Sequence, residues 1–206
     1  GSARKTLHDH VDATSFQVAA YGEYLLMDTG YYKPVDYNNA RTAQATGHNV
    51  VLIDGQGAPA KGLLTNFGDA DAWLEHGLFG GVVESAEARQ SYEDAEFVRT
   101  MAFVGGRYFV VADRIHSERE PREHRFRVHG WAGFDSGGTF ELSAERATWE
   151  RDVAGVDVYV SSPDGPVSLE QPPYVEAQAP HAHEIEEGRA TTHHEVVDGV
   201  ITAAAP

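Results

Sequence analysis

The densest chemistry in this chain of 206 residues lies near its start, where His8-Asp9-His10, Asp28 and His48-Asn49 flank runs that alternate as strands do. Two imidazoles and a carboxylate at strand ends, with a fourth position open, form a donor set suited to Zn²⁺. His8 and His10 lie two apart, so in an extended chain they share a face and Asp9 points away. One can then ligate while the other does acid–base work. The alternative is that three separated surface residues never meet, since 11 histidines in one chain supply many chance triplets.

Strands must position these side chains. Residues 15–20 place Phe16, Val18 and Ala20 on one face, and residues 24–28 follow after Tyr21-Gly22-Glu23, which predicts a hairpin with a short turn. Residues 49–53 form an apolar run of strand length closed by the turn signal Asp54-Gly55. The clearest hairpin joins residues 97–104 to 107–113 through Gly105-Gly106, whose positive φ suits a two-residue turn. Further strands are expected at residues 124–130, 139–143, 147–151 and 156–161. Helical spacing is confined to residues 71–76 and 83–89. Residues 163–195, acidic and rich in His with Pro at the start, read as an irregular region, and no clear final strand precedes Pro206. The expectation is an all-β antiparallel β-sandwich of many short strands with few or no helices, a single domain over residues 1–206. Parallel α/β architecture is disfavoured, because no helices of crossover length separate the strands.

Composition narrows the function classes. Sixteen Lys and Arg against 32 Asp and Glu leave a net charge of −16, a poor endowment for nucleic acid or anionic membrane. Without cysteine there is no thiol nucleophile and no Cys-based metal site. No run approaches the roughly 18 apolar residues of a membrane span, and no signal-peptide pattern opens the chain. The charge is uneven: residues 1–61 balance to −1 and the remainder holds −15. The candidate residues therefore occupy the nearly neutral part.

The run from His8 to Phe16 fits H-x-H-x-D-x-x-S-F, and Asp28-Thr29-Gly30 follows the next strand. Six residues then separate Arg41 from His48-Asn49, which leads into an apolar strand and Asp54-Gly55-Gln56. In this order the motifs resemble the C-terminal β-sandwich domain of the heparinase II/III-like polysaccharide lyases, a group that includes alginate and oligoalginate lyases. The resemblance implies a structural zinc held by His10, Asp28 and His48. It implies that His8 lies at the catalytic cleft, with a tyrosine that best matches Tyr37, Tyr31 and Tyr32 being the alternatives. Arg41 is the implied substrate contact. The implied reaction is β-elimination at a uronic acid unit, in which a Tyr or His removes the proton beside the carboxylate and protonates the departing oxygen. Such lyases carry an N-terminal α/α toroid domain that supplies further catalytic groups, while this chain opens directly on the H-x-H motif. The expectation is a β domain with little lyase activity alone, an acidic polysaccharide as partner, and a periplasmic or secreted location. The competing expectation is a non-catalytic sandwich that binds carbohydrate or pairs with another domain, its metal purely structural.

Other residues admit two readings. Arg125 and Arg127 share a strand face with His129, which suits an anionic sugar or a solvated ionic face. His181, His183, His193 and His194 stand among acids as a second metal site or an exposed loop. Trp73, Trp131 and Trp149 could stack on sugars or fill the core. His124 and His129 lie five apart on a strand, face opposite sides and make no ligand pair.

Overall fold

The computed structural model describes residues 10–29, 44–58, 72–92, 94–119, 122–133, 136–172, 175–178 and 191–202. Along the chain these form β1 (Val18–Ala20), β2 (Glu23–Leu26), β3 (Val51–Ile53), β4 (Ala72–Leu78), β5 (Val83–Tyr92), β6 (Ala95–Val104), β7 (Tyr108–Ser117) and β8 (Glu123–His129). Then come β9 (Thr139–Leu142), β10 (Ala147–Glu150), β11 (Gly155–Val158), β12 (Ser168–Glu170), β13 (Val175–Gln178), β14 (Thr191–His194) and β15 (Val196–Thr202). The paired strands are antiparallel, so the fold is all-β as expected. The longest helical segment among the described residues is the 3₁₀ turn Ala45–Gly47. No helix among them is long and apolar enough to cross a membrane.

The chain divides into two compact units, one of residues 10–60 and 121–206, the other of residues 1–9 and 61–120. In the larger unit a four-stranded sheet runs β12-β15-β8-β3. Its middle strand β8 pairs Phe126 with Val51 on one side and Val128 with Val197 on the other. Leu52, Ile53, Val128, Trp149, Val196 and Val197 are all buried, which gives this unit its core. A side chain at Gly130 would fall into the indole of Trp149, so only glycine allows that approach. The β1–β2 hairpin is fastened to the end of β8: Met27 donates its N–H to His129 at 3.1 Å and Trp131 donates to Leu25 at 2.9 Å. The residue after Met27 is Asp28, so this fastening brings a site candidate to the end of the central strand.

In the smaller unit the described residues form the meander β4-β5-β6-β7. Val104 pairs with Tyr108, so the connection is three residues, Gly105-Gly106-Arg107, one more than expected. Both glycines take positive φ, 59° and 67°, as the expected turn requires. Arg99 and Asp113, directly opposite in register, form a bidentate pair at 2.7 and 2.9 Å.

Three local expectations are corrected. The described parts of the two helical windows are strands β4 and β5. Glu84, Ala86, Glu87 and Ala88 favour helix locally, but β5 pairs with β6 along all ten of its residues, and the ladder outweighs a weak propensity. Residues 163–195 are not wholly irregular: β12 pairs with β15 and β13 with β14. A clear final strand does exist in β15. Asp198 and Gly199 interrupt its apolar pattern, and Asp198 is tolerated there because Arg127 opposes it.

Candidate metal centre

His48 stands immediately after the 3₁₀ turn, held where its N–H donates to the Ala45 carbonyl at 3.1 Å. Ala45, Val50 and Leu52, which flank it in sequence, form an apolar cluster, and Val11 packs on that cluster. That contact carries the neighbouring His10 to His48, the ring centroids lying 5.3 Å apart and tilted by 47°. Asp28 comes from a third segment. Met27 packs against Trp131, and the Thr29 N–H donates to the Gly47 carbonyl at 3.0 Å. Asp28 Oδ2 thus lies 3.5 Å from His48 Nδ1. Three segments distant in sequence are brought together by apolar packing and backbone hydrogen bonds.

Several buried polar atoms at this meeting point are left unsatisfied. His48 is wholly buried, and neither ring nitrogen has a hydrogen-bond partner among the described residues; the same holds for the buried Thr29 hydroxyl. Buried polar atoms are ordinarily satisfied, and leaving one unmade costs about 1–3 kcal/mol. Burial holds the His10 imidazole below its ordinary pKa, and His48 adds to the effect, while Asp12 and Asp28 oppose it. A neutral imidazole is the form that ligates a metal. A divalent ion shared with His10 and the partly exposed Asp28 carboxylate would satisfy one of the two His48 ring nitrogens. The donor set fits Zn²⁺.

A polar wall of β8 and β15 side chains holds the turn that precedes His48. Arg127 donates to Asp198 through Nε and Nη2, both at 2.8 Å, and through Nη1 to the Thr46 carbonyl at 3.3 Å. His129 Nε2 lies 3.0 Å from the same carbonyl. The 3₁₀ turn is therefore gripped by two side chains of β8.

A family model described as heparinase II/III-like, C-terminal, matches residues 1–199 of the chain. The chain belongs to that family. Among solved structures, this heparinase II/III-like domain is similar to heparinase III, with a TM-score of 0.60 at 14% identity. The alignment covers 95% of this chain and 28% of that one, so the domain spans under a third of the solved protein. Comparison with curated protein sequences returns no match.

For the heparinase II/III-like domain, His10, Asp28 and His48 are the expected site residues that the structure brings together. His8, Tyr37 and Arg41 lie outside the described residues, as do Tyr31, Tyr32, His181 and His183. His193 and His194 fall on β14, opposite Glu176 and Val175. Arg125 and Arg127 form an internal ionic network, not an open cationic face: Arg125 bonds Glu123 and Glu170 and lies 3.6 Å from Asp198. Those carboxylates hold the Arg125 guanidinium firmly protonated. Trp131 and Trp149 are core residues, and Trp73 is partly exposed. Sequence reasoning missed Asp198 and Asn49 as parts of the site's support. An aspartate within a valine-rich segment was the available signal for the first, and the H-N pair for the second.

Proposed function

We propose that the chain is the β-sandwich part of a polysaccharide lyase that cleaves uronate-containing acidic polysaccharide by β-elimination. The observation that carries the proposal is the meeting of His10 and Asp28 at the buried His48, whose ring nitrogens have no hydrogen-bond partner among the described residues, in a member of the heparinase II/III-like family. The similarity to heparinase III supports an acidic glycan as substrate class. His10, Asp28 and His48 would hold Zn²⁺, whose contribution is to lock the segment that begins with His8. His8 lies two residues before His10 in sequence, so a metal that fixes His10 would also restrain His8.

In the elimination, His8 or Tyr37 takes the proton on the carbon beside the uronate carboxylate. The electron pair forms the new carbon–carbon double bond as the glycosidic carbon–oxygen bond breaks, and the departing oxygen receives a proton. Arg41 would pair with the uronate carboxylate and ease the charge that builds there. The rest of the groove is assigned to an N-terminal α/α toroid domain of the same protein, and a periplasmic or secreted location follows from the same reading.

The experiment joins the chain to its preceding domain and measures unsaturated-uronate absorbance on alginate and heparan sulfate. Activity that falls at least about 100-fold in His8→Ala or Tyr37→Phe, with the 206-residue chain alone nearly inactive, is the expected result. Robust lysis by the chain alone, or full activity in both variants, would overturn it.

A further inference from the structure

We propose that Asn49 is the positioning residue of the metal centre, tying the segment that carries His10 to the turn that carries His48. The inference rests on the assignment of His10, Asp28 and His48 as metal ligands. Asn49 is wholly buried. Its Oδ1 accepts the backbone N–H of His129 at 2.7 Å, while its Nδ2 donates to the Phe16 carbonyl at 2.7 Å. Its own backbone N–H donates to the Ser15 hydroxyl at 3.2 Å. The partners fix the amide orientation, because His129 offers a donor and Phe16 an acceptor.

Three elements thus meet on one side chain. His129 ends the central strand β8, so one end of the tie is anchored in the sheet. Phe16 stacks its ring on Phe126 of the same strand at 6.3 Å, and Ser15 donates its N–H to the Asp12 carbonyl at 2.8 Å, folding the chain back toward His10. The next residue before Asn49 is His48 itself. Only an amide of this length offers an acceptor and a donor from one planar group. Aspartate keeps the acceptor and loses the donor, and leucine loses both. A metal site demands ligand distances held to about 0.2 Å, and loss of an outer supporting contact typically weakens metal binding about 10–100-fold.

The test titrates Co²⁺ into the 206-residue chain, follows the visible ligand-field absorption, and measures metal-free stability by denaturation. Asn49→Asp retains the acceptor for the His129 N–H and removes the donor to Phe16. Trp149→Phe serves as the control, since it weakens the core and loses the indole hydrogen bond to the Glu195 carbonyl while removing none of the Asn49 hydrogen bonds. Asn49→Asp is expected to bind Co²⁺ about 10–100-fold more weakly with an altered spectrum, and Trp149→Phe to match the wild type in both. Ser15→Ala, expected to weaken Co²⁺ several-fold, carries the same test should Asn49→Asp not fold. Wild-type affinity and spectrum in both Asn49→Asp and Ser15→Ala would overturn the positioning role, as would an equal loss in Trp149→Phe. Co²⁺ binding that survives in His48→Ala, or is absent from the wild type, would instead overturn the ligand assignment beneath it.

Discussion

Histidine and carboxylates gather in two places among the described residues, and the two places handle charge differently. In the larger unit His48 is buried beside His10 and Asp28, with both its ring nitrogens unsatisfied. In the smaller unit a bulge between Leu74 and His76 helps bring Glu75, His76 and Glu87 together, their ligand atoms within 4.8 Å of one another. Yet Glu75 and His76 are exposed, Arg89 sits 3.2 Å from Glu75, and Arg114 sits 3.9 Å from Glu87. Cations already answer that cluster, and water can serve the rest. Proximity of ligand atoms therefore does not define a metal site. Unsatisfied burial adds a reason of another kind, because there an ion would recover a cost the fold has already incurred.

The largest expected effect breaks the polar wall. Asp198→Ala leaves the Arg127 guanidinium buried without its bidentate partner, which should cost about 3–5 kcal/mol of stability, read from chemical denaturation. Since Arg127 also holds the Thr46 carbonyl at 3.3 Å, zinc affinity should fall with it. A loss below about 1 kcal/mol would mean that this wall treats charge as a surface does. Next, elemental analysis should find one zinc per chain, lost at least about 100-fold in affinity in His48→Ala and unchanged in His76→Ala. Zinc that follows His76 would invert the comparison.

Asp54 lies between these extremes. It takes a positive φ of 49° in the turn after β3, accepts the Glu123 N–H at 3.0 Å and pairs with Arg122 at 2.9 Å. The backbone N–H, then Arg122, hold its carboxyl below the ordinary range. A depressed carboxylate contributes stability above its unfolded pKa of about 3.9 and loses it as pH falls through the folded value. Asp54→Asn keeps an acceptor and tolerates the turn, and the Asp54 side chain is 50% exposed. The wild-type advantage should therefore be about 0.5 kcal/mol or less at pH 7, closing below about pH 4. An advantage that grows in acid would refute the sign.

What the sequence made legible follows from how local each signal is. The Gly105-Gly106 hairpin, the Asp54-Gly55 turn and the strand carrying Phe126 and Val128 declare themselves within a few residues, because turn chemistry and alternation are local. The triad of His10, Asp28 and His48 was legible only through motif order, since the contacts that join it run through Val11, Met27 and Thr29 and no spacing encodes them. Strand β5 was ambiguous because its Ala and Glu residues favour helix until β6 pairs with them. Asp198 drew no attention in the sequence. Its fitness depends on Arg127, 71 positions away, and no local pattern reports a partner at that distance.

The smallest effect probes the exposed cluster directly. The Arg89 and Glu75 side chains of the smaller unit are 43% and 34% exposed, so their attraction is worth little in water and is screened by salt. Glu75→Gln should lower stability by about 0.5 kcal/mol or less, and the difference should vanish near about 1 M salt, where the screening length is about 3 Å. The control lies in the same sheet: Arg99–Asp113 is a buried bidentate pair, and Asp113→Ala should cost several-fold more and resist salt. If Glu75→Gln proves as costly and as salt-resistant as Asp113→Ala, this face is shielded from water in solution. Its histidine and carboxylates would then have to be judged by the standard that singles out His48.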